Sequence, residues 1–154
     1  MLGLKMSEKL VIENVAEEWI ADSSIDESYL IQEIIRTTTL HSKYLSYFID
    51  FKREVTTSRA ILGKMGNMKR KYYRGECTKN DLDKYGWTQY QGLKPSLSEM
   101  NSLLEYDIDM INLRRNLNTA ELSVQSIEYI MKQISQRDYT LKNLFEVHKY
   151  LNGA

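Results

Sequence analysis

The sequence has little of what builds disulfide-linked or turn-rich proteins. It contains one cysteine, Cys77, one proline and seven glycines in 154 residues. A single cysteine allows no disulfide within the chain, so we expect a reducing compartment. Such small numbers of proline and glycine favour long helices over a β-sandwich or barrel.

Membrane-spanning and secreted classes are also disfavoured. No apolar run approaches the roughly 18 residues that a transmembrane helix needs. The N-terminus becomes acidic at Glu8, which is unlike a secretory signal or a transit peptide. We therefore expect a soluble intracellular protein, built as one domain or as a helical module that completes its core by self-association.

Net charge is absent as well, but its distribution is uneven. The chain has 21 Lys+Arg and 21 Asp+Glu. Residues 1–28 hold seven acids and two lysines, whereas residues 64–74 (KMGNMKRKYYR) hold five cations, no acid and two adjacent tyrosines. The distribution of charge, and not its sum, is informative here.

Apolar periodicity predicts helices over residues 4–20 and from about Tyr29 to Tyr73. Residues 75–95 contain three glycines and the only proline, which is typical of a connecting segment. Within that segment, Thr78 and Asp81 could cap one short helical turn.

The clearest pattern runs from Ser96 to Ile134, which contain no glycine or proline and are predicted to form one helix. Its a and d positions are apolar or aromatic over five heptads, as in a coiled coil. We predict that these residues mediate oligomerisation; the alternative is a monomeric three-helix bundle. The ten positions are Leu103, Tyr106, Met110, Leu113, Leu117, Ala120, Val124, Ile127, Met131 and Ile134.

After residues 136–138 we predict a separate short amphipathic helix. The fold class is therefore all-α: a long helical hairpin with a heptad-patterned C-terminal helix, assembling as a homo-oligomer. Four regions follow: an acidic N-terminal helical extension (1–26), a helix ending in the basic stretch (27–74), a connecting loop (75–95) and C-terminal coiled-coil oligomerisation helices (96–154).

The basic stretch is the strongest functional signal. Arg70 and Arg74 form an i,i+4 pair of like charge, which costs helix stability and suggests an anionic partner. Cations beside Tyr72 and Tyr73 suit a single strand, which presents phosphates and bases that stack on aromatic rings. The alternatives are a solvated helix end, internal pairing with acidic residues 1–28, and tyrosines that serve packing alone.

Catalytic patterns are weak. His41 falls in its helix seam and is predicted to be a core histidine, and His148 stands alone. Residues 63–67 (GKMGN) lack the P-loop pattern. Asp107 and Asp109 lie two apart on the predicted helix and so point in different directions. Cys77 has no nearby histidine to activate it. We predict no enzymatic activity, no metal and no cofactor.

Three stretches resemble the UvsY-type recombination mediators of large tailed phages. LHSKYLSYF (40–48) leads into KRKYYRGE (69–76), similar to a family helix that ends in basic residues, paired aromatics and a glycine. A variable loop then leads to LKP and a long heptad helix. SQRDYTLKN (135–143) matches the family's C-terminal Ser-x-Arg-x-Tyr/Phe-x-Ile/Leu-Lys-Asn pattern. The likeness covers about residues 27–153.

The resemblance implies a non-enzymatic protein in the cytoplasm of the infected bacterial host. Such mediators form hexameric or heptameric rings, bind single-stranded DNA, help displace single-strand binding protein and load a RecA-like recombinase of the UvsX type. The cations that match the family's basic helix end, together with two tyrosines on which bases could stack, are the predicted nucleic-acid-binding residues. They are Lys64, Lys69, Arg70, Lys71, Tyr72, Tyr73 and Arg74.

The sequence departs from the family at Gly66 and Asn67, where the family often has a lysine and helix-favouring neighbours. Residues 1–26 fall outside the firm likeness and could contact the recombinase or the single-strand binding protein, shield the basic stretch when DNA is absent, or simply pack on the hairpin. Two other functions are considered: a structural coiled-coil adaptor that binds only protein partners, and a binder of RNA or double-stranded DNA.

Overall fold

The computed structural model describes residues 10–153, which form α-helices and one 3₁₀ turn (Glu27–Tyr29) and contain no β-strand. The all-α prediction is confirmed. Residues 1–9 of the predicted acidic extension lie outside the described residues. The helices are α1 (Ile12–Asp22), α2 (Leu30–Tyr73), α3 (Lys79–Tyr85), α4 (Leu97–Tyr106) and α5 (Ile108–Leu151).

Helix α2, which carries the basic stretch, was predicted almost to the residue. It runs without a break through Gly63 and Gly66. It ends because the Glu76 N–H donates to the Lys71 carbonyl at 2.9 Å and the Gly75 N–H donates to the Tyr72 carbonyl at 3.0 Å. Gly75 has φ 73°, a left-handed conformation that glycine adopts without strain. This Schellman-type cap fixes where the basic helix stops.

The prediction of one helix from Ser96 to Ile134 is wrong at Asp107. That residue is extended (φ −65°, ψ 128°) and separates α4 from α5. Side chains form hydrogen bonds with the backbone groups that the break leaves free. Asp107 Oδ1 accepts from the Met110 N–H at 3.1 Å and caps α5, and Arg114 donates to the terminal carbonyls of Leu104 and Glu105 in α4.

The predicted separate helix after residues 136–138 is also wrong, because α5 continues to Leu151. No glycine or proline lies between Ser96 and Leu151. Arg137, at the predicted break, is 5% exposed inside the helix. Gln136 and Asp138 on either side of it are exposed, and none of the three residues ends the helix.

The described chain divides into two compact units, and α2 and α5 contribute to both. The first unit is the described part of Met1–Asp50 with Ser123–Ala154. The Trp19 indole N–H in α1 donates to the Gln133 side chain of α5 at 2.6 Å, and the Trp19 and Tyr44 rings meet edge to face at 5.3 Å. The buried apolar residues of this unit are Val15, Leu30, Leu40, Tyr44, Val124, Ile127, Ile130, Ile134 and Leu141.

The second unit is Phe51–Leu122. Here α2 and α5 lie antiparallel, since Arg59 pairs with Glu121 at 3.0 Å while Lys69 reaches Asp107 near the start of α5. Met100 and Leu104 of α4 form a cluster with Met110. The partly buried residues Leu62, Met65 and Tyr73 of α2 pack against that cluster. The end of the basic helix is therefore part of this core.

The heptad residues mostly face the interior of the protein. Of the ten predicted oligomerisation positions, five are buried in the protein's own core: Met110, Ala120, Val124, Ile127 and Ile134. Leu103, Leu113, Leu117 and Met131 are half-buried, and Tyr106 is exposed. A heptad pattern does not tell whether its partner helix lies in the same chain or in another. Here much of it packs within the chain.

Among residues 10–153, no helix combines the length and apolar character that crossing a membrane requires.

Candidate nucleic-acid interface

Four of the five predicted cations are exposed at the end of α2. They are Lys64, Arg70, Lys71 and Arg74. Arg70 and Lys71 lie in the last turn of α2 and Arg74 follows directly after it, where the helix dipole is negative and favours cations. The helix end thus reduces the cost of the like charges that the sequence concentrates there.

Lys69, the fifth cation, is buried. Its ammonium nitrogen lies 3.0 Å from Oδ2 of Asp107 and 2.6 Å from Oδ2 of Asp109. The same nitrogen lies 4.1 Å from the centroid of the Trp87 ring, within range of a cation–π interaction. The side chain is 6% exposed. Lys69 therefore joins α2, the connecting segment and the start of α5.

Asp107 is the common partner in this contact. Its Oδ2 also accepts from the Tyr73 hydroxyl at 2.7 Å, and its Oδ1 caps α5. Burial raises the pKa of Asp107, but the hydrogen bonds from Tyr73 and Lys69 outweigh that effect and leave the pKa below its ordinary value. In Tyr73, burial and the bond to Asp107 raise the pKa of the phenol. Asp107 thus stays ionised and Tyr73 stays a hydrogen-bond donor.

The expectation that Asp107 and Asp109 diverge is wrong, because both carboxylates meet the Lys69 ammonium group. The expectation assumed that both residues belong to one helix. Asp107 is extended at the N-cap and only Asp109 lies in α5, which lets the two side chains converge. They form an ion-pair site for a lysine of the same chain.

The aromatic residues of the connecting segment fold against the end of α2. Tyr72, Tyr73, Tyr85, Trp87 and Tyr90, all half-buried, form what we call the aromatic cluster. Tyr85 and Trp87 stack at 4.5 Å with planes 18° apart, and the ring of Tyr72 lies 5.1 Å from that of Trp87. Tyr90 contacts both Tyr73, at 5.1 Å, and Tyr72, at 5.8 Å.

Sequence reasoning could not place the three aromatics of the connecting segment. One local signal did point to order there. The predicted capping box is present, with Thr78 Oγ1 accepting from the Asp81 N–H at 3.2 Å and the Asp81 side chain accepting from the Thr78 N–H at 3.0 Å. Gly86, with φ 68°, ends α3 and turns the chain so that Trp87 reaches α2.

Glu18 and Asp22, two of the described acids near the N-terminus, have partners within their own unit. Lys43 pairs with Glu18 at 2.8 Å and with Asp22 at 2.7 Å, and Asp22 also pairs with Arg36 at 3.3 Å. Hydrogen bonds from Lys43 and Tyr47 lower the pKa of Glu18. These contacts hold α1 against α2.

The side chains of both histidines are accessible to solvent. His41 is exposed, so the prediction of a core histidine is wrong. His148 Nε2 lies 3.9 Å from a Glu27 carboxylate oxygen in a partly exposed contact. Among residues 10–153, no group of three His, Cys, Asp or Glu side chains is placed to hold a metal ion.

Together, the fold and the site define an all-α protein that presents a cationic helix end beside an aromatic cluster. Crystal structures of the bacteriophage T4 recombination mediator protein UvsY have a similar fold. Lattice type II matches with a TM-score of 0.80 at 20% identity, covering 94% of this chain and 99% of the T4 chain. Lattice type IV matches with a TM-score of 0.80 at 19% identity, covering 92% and 99%. At this identity the likeness establishes the fold.

The family is established by sequence. The model of the family described as "Recombination, repair and ssDNA binding protein UvsY" matches residues 18–154. This chain belongs to the UvsY family, and the resemblance stated from its motifs is confirmed. No curated protein sequence matches the chain.

Proposed function

We propose that the chain binds single-stranded DNA at the end of α2. The observation that carries the proposal is the exposure of Lys64, Arg70, Lys71 and Arg74 at one helix end in a chain of zero net charge. Such a surface binds phosphates without sequence preference. Tyr72 and Tyr73 join the site through the aromatic cluster. Lys69 belongs to it as the residue that holds the helix end, since two carboxylates already engage its ammonium group.

Self-association is the second element of the proposal. Four cations on one protomer give weak, salt-sensitive binding, whereas a ring that repeats them raises affinity by avidity, about 10²–10⁴-fold when one strand reaches several sites. Support comes from the apolar residues that the chain leaves accessible: the half-buried heptad residues and exposed isoleucines of α2, such as Ile31 and Ile35. The five buried heptad residues stabilise the core of the single protomer.

The proposed biological role is that of a recombination mediator in the cytoplasm of the infected host. A ring that holds and bends a strand would weaken a cooperative single-strand binding protein and present the DNA to a RecA-like recombinase of the UvsX type. Membership of the family supports this role. An order-of-addition assay tests it: the protein should shorten the lag of recombinase filament assembly on a strand already coated with binding protein. An unchanged lag would contradict the mediator role.

The DNA-binding proposal is tested by fluorescence anisotropy of a labelled single strand over a series of salt concentrations. The variant Arg70/Lys71/Arg74→Ala should bind more weakly. Its slope of log affinity against log salt should fall by about 2 for each protomer that engages the strand, because each phosphate contact on a single strand contributes about 0.7.

The matched control is Lys132/Lys142/Lys149→Ala, which removes three exposed lysines of α5 and changes the net charge equally. It should keep the wild-type slope. Equal losses in both variants would point to net charge instead of a site. No binding of the wild type at low salt would favour the alternative, an adaptor that binds only proteins. Competition with RNA and duplex DNA at matched salt tests the preference for single strands.

A further inference from the structure

An open cavity of about 910 Å³ lies beside the aromatic cluster, within the unit formed by Phe51–Leu122. Its lining includes Tyr73 from the end of α2, Tyr90 and Lys94 from the connecting segment, and Leu103 and Tyr106 from α4. The volume falls in the range of ligand pockets, about 300–1,000 Å³. An aromatic and apolar wall is thus continuous with the cationic end of α2 through Tyr73.

Two features show that the wall is shaped by specific residues. Tyr106 is 77% exposed although it occupies a heptad position, so core packing does not account for its ring. Tyr90 folds back over Gly92, where any β-carbon would collide with the Tyr90 ring, so only glycine permits this placement. Tyr90 in turn touches the rings of Tyr72 and Tyr73.

The acids in the lining do not oppose an anionic ligand strongly. Asp107 is paired with Lys69 and accepts from the Tyr73 hydroxyl. Glu99 is turned to its own helix end, where its carboxylate accepts from the Ser96 N–H at 2.7 Å. Lys94 is exposed beside them. With Asp107 paired, Lys94 and Glu99 are the charged groups that remain at the cavity edge, and their charges are opposite.

We propose that this cavity is a base-binding pocket: a base of the strand held at the end of α2 enters it and stacks on Tyr106, with Tyr90 as a second aromatic side chain of the lining, while Lys94 meets an adjoining phosphate. The inference rests on the proposed single-strand binding. Stacking on aromatic side chains is tolerant of sequence, because every base has a π-face. The pocket thus adds affinity to the cationic contacts without adding sequence preference.

The test is a cycle that combines Tyr106→Ala with a strand carrying abasic sites. Tyr106 is suited to it because an exposed ring can be removed without opening the core. On an intact strand, Tyr106→Ala should weaken binding about 5- to 150-fold with an unchanged salt slope, because the ring touches no phosphate. On the abasic strand the variant and the wild type should bind equally. Gly92→Ala, which displaces Tyr90 but keeps every aromatic, should also weaken binding to the intact strand.

Tyr139→Ala is the matched control, because Tyr139 is 71% exposed and lies in the other unit. It should bind as the wild type does. Equal affinity of Tyr106→Ala and wild type for the intact strand would overturn the pocket even while Arg70/Lys71/Arg74→Ala still loses binding. If none of these proteins binds DNA, the proposed function fails first. A lower sedimenting mass of Tyr106→Ala with unchanged DNA affinity would assign the cavity to a second copy of the chain and overturn the proposal.

Discussion

The ammonium nitrogen of Lys69 lies 3.0 Å from Oδ2 of Asp107, and the two side chains are 6% and 4% exposed. This contact joins the end of the basic helix to the junction between α4 and α5. It also separates the five cations of the basic stretch into two kinds. Four are exposed to solvent, and one stabilises the surface from which the others project.

Replacing Lys69 by methionine should destabilise the protein by about 3 kcal/mol, because it leaves a buried carboxylate without its cation. Urea unfolding at a fixed protomer concentration measures this change. Lys71→Met is the control, since Lys71 is exposed and should change the free energy of unfolding by no more than about 0.5 kcal/mol.

The salt dependence of DNA binding provides a second test of the role of Lys69. The salt slope of folded Lys69→Met should equal that of the wild type, whereas Lys71→Met should lower the slope by about 0.7 per engaged protomer if Lys71 meets a phosphate. A stable Lys69→Met protein with a reduced slope would instead make Lys69 a phosphate contact.

Acid should weaken the same junction. The pKa of Asp107 is lowered in the folded protein, so its stabilising effect is complete above its unfolded value of about 3.9 and is lost as the pH falls through the lower folded value. Asp107→Asn should be less stable than the wild type at pH 7, and the difference should shrink below about pH 4.

The measurement is the free energy of unfolding from pH 7 to pH 3, with the exposed Asp83→Asn as control. The pKa of Asp22 is also lowered, so the wild type should lose further stability in acid. This loss is common to the variant and the wild type and cancels in the difference between them. A stability difference that stays constant with pH would show that Asp107 acts only through shape.

Local signals in the sequence predicted α2, the Thr78–Asp81 cap and the all-α class, because periodicity and capping depend on neighbours along the chain. The break at Asp107 was missed. Its compensation comes partly from Arg114, a full two turns further on, and from Lys69 and Tyr73 in another helix. An aspartate inside an apolar repeat is compatible both with one continuous helix and with a cap that begins a second helix.

The functional site was predictable in part for the same reason. Charge density marked the end of α2, but which cation is buried depends on the fold, because Lys69 and its two carboxylates are far apart in sequence. The heptads correctly marked apolar contact faces. Periodicity does not distinguish a partner helix in the same chain from one in another copy, and here five of the ten residues are in the protein's own core.

Arg137 explains part of the C-terminal motif in physical terms. It is 5% exposed, pairs with Glu33 and donates from Nη1 to the Ser23 carbonyl at 2.8 Å and from Nη2 to the Ser24 carbonyl at 3.2 Å. Arg137→Met should cost about 3–5 kcal/mol, because it leaves Glu33 short of a cation. Arg137→Lys should recover only part of this, since a lysine lacks the planar fork. Thermal or urea unfolding measures both, with exposed Lys132→Met as control; full recovery by lysine would show that charge alone matters.

Gly63 offers a stabilising change in α2. A β-carbon there would meet nothing within 4 Å, and the residue is helical. Gly63→Ala should therefore raise the free energy of unfolding by about 0.5–1 kcal/mol without altering DNA affinity. Urea unfolding measures the free energy of unfolding, and fluorescence anisotropy measures the DNA affinity. A destabilised Gly63→Ala protein would indicate that this face of the helix is occupied, for example by a second copy.

Self-association can be separated from folding by choosing residues according to their exposure. Ile31 and Ile35 are 59% and 66% exposed on α2, whereas Val124 is 7% exposed in the core. Ile31/Ile35→Asp should keep its helical circular dichroism but sediment closer to the 18.1 kDa protomer, because burying two carboxylates between subunits is unfavourable. Val124→Asp should instead unfold the protein, since its charge would be unpaired in the core. If the double variant keeps the wild-type mass, the interface lies elsewhere, and the half-buried Leu117 is the next position to change.

If the double variant Ile31/Ile35→Asp becomes monomeric and stays folded, its affinity for single-stranded DNA should fall by the avidity factor, about 10²–10⁴. Its salt slope per protomer should stay the same.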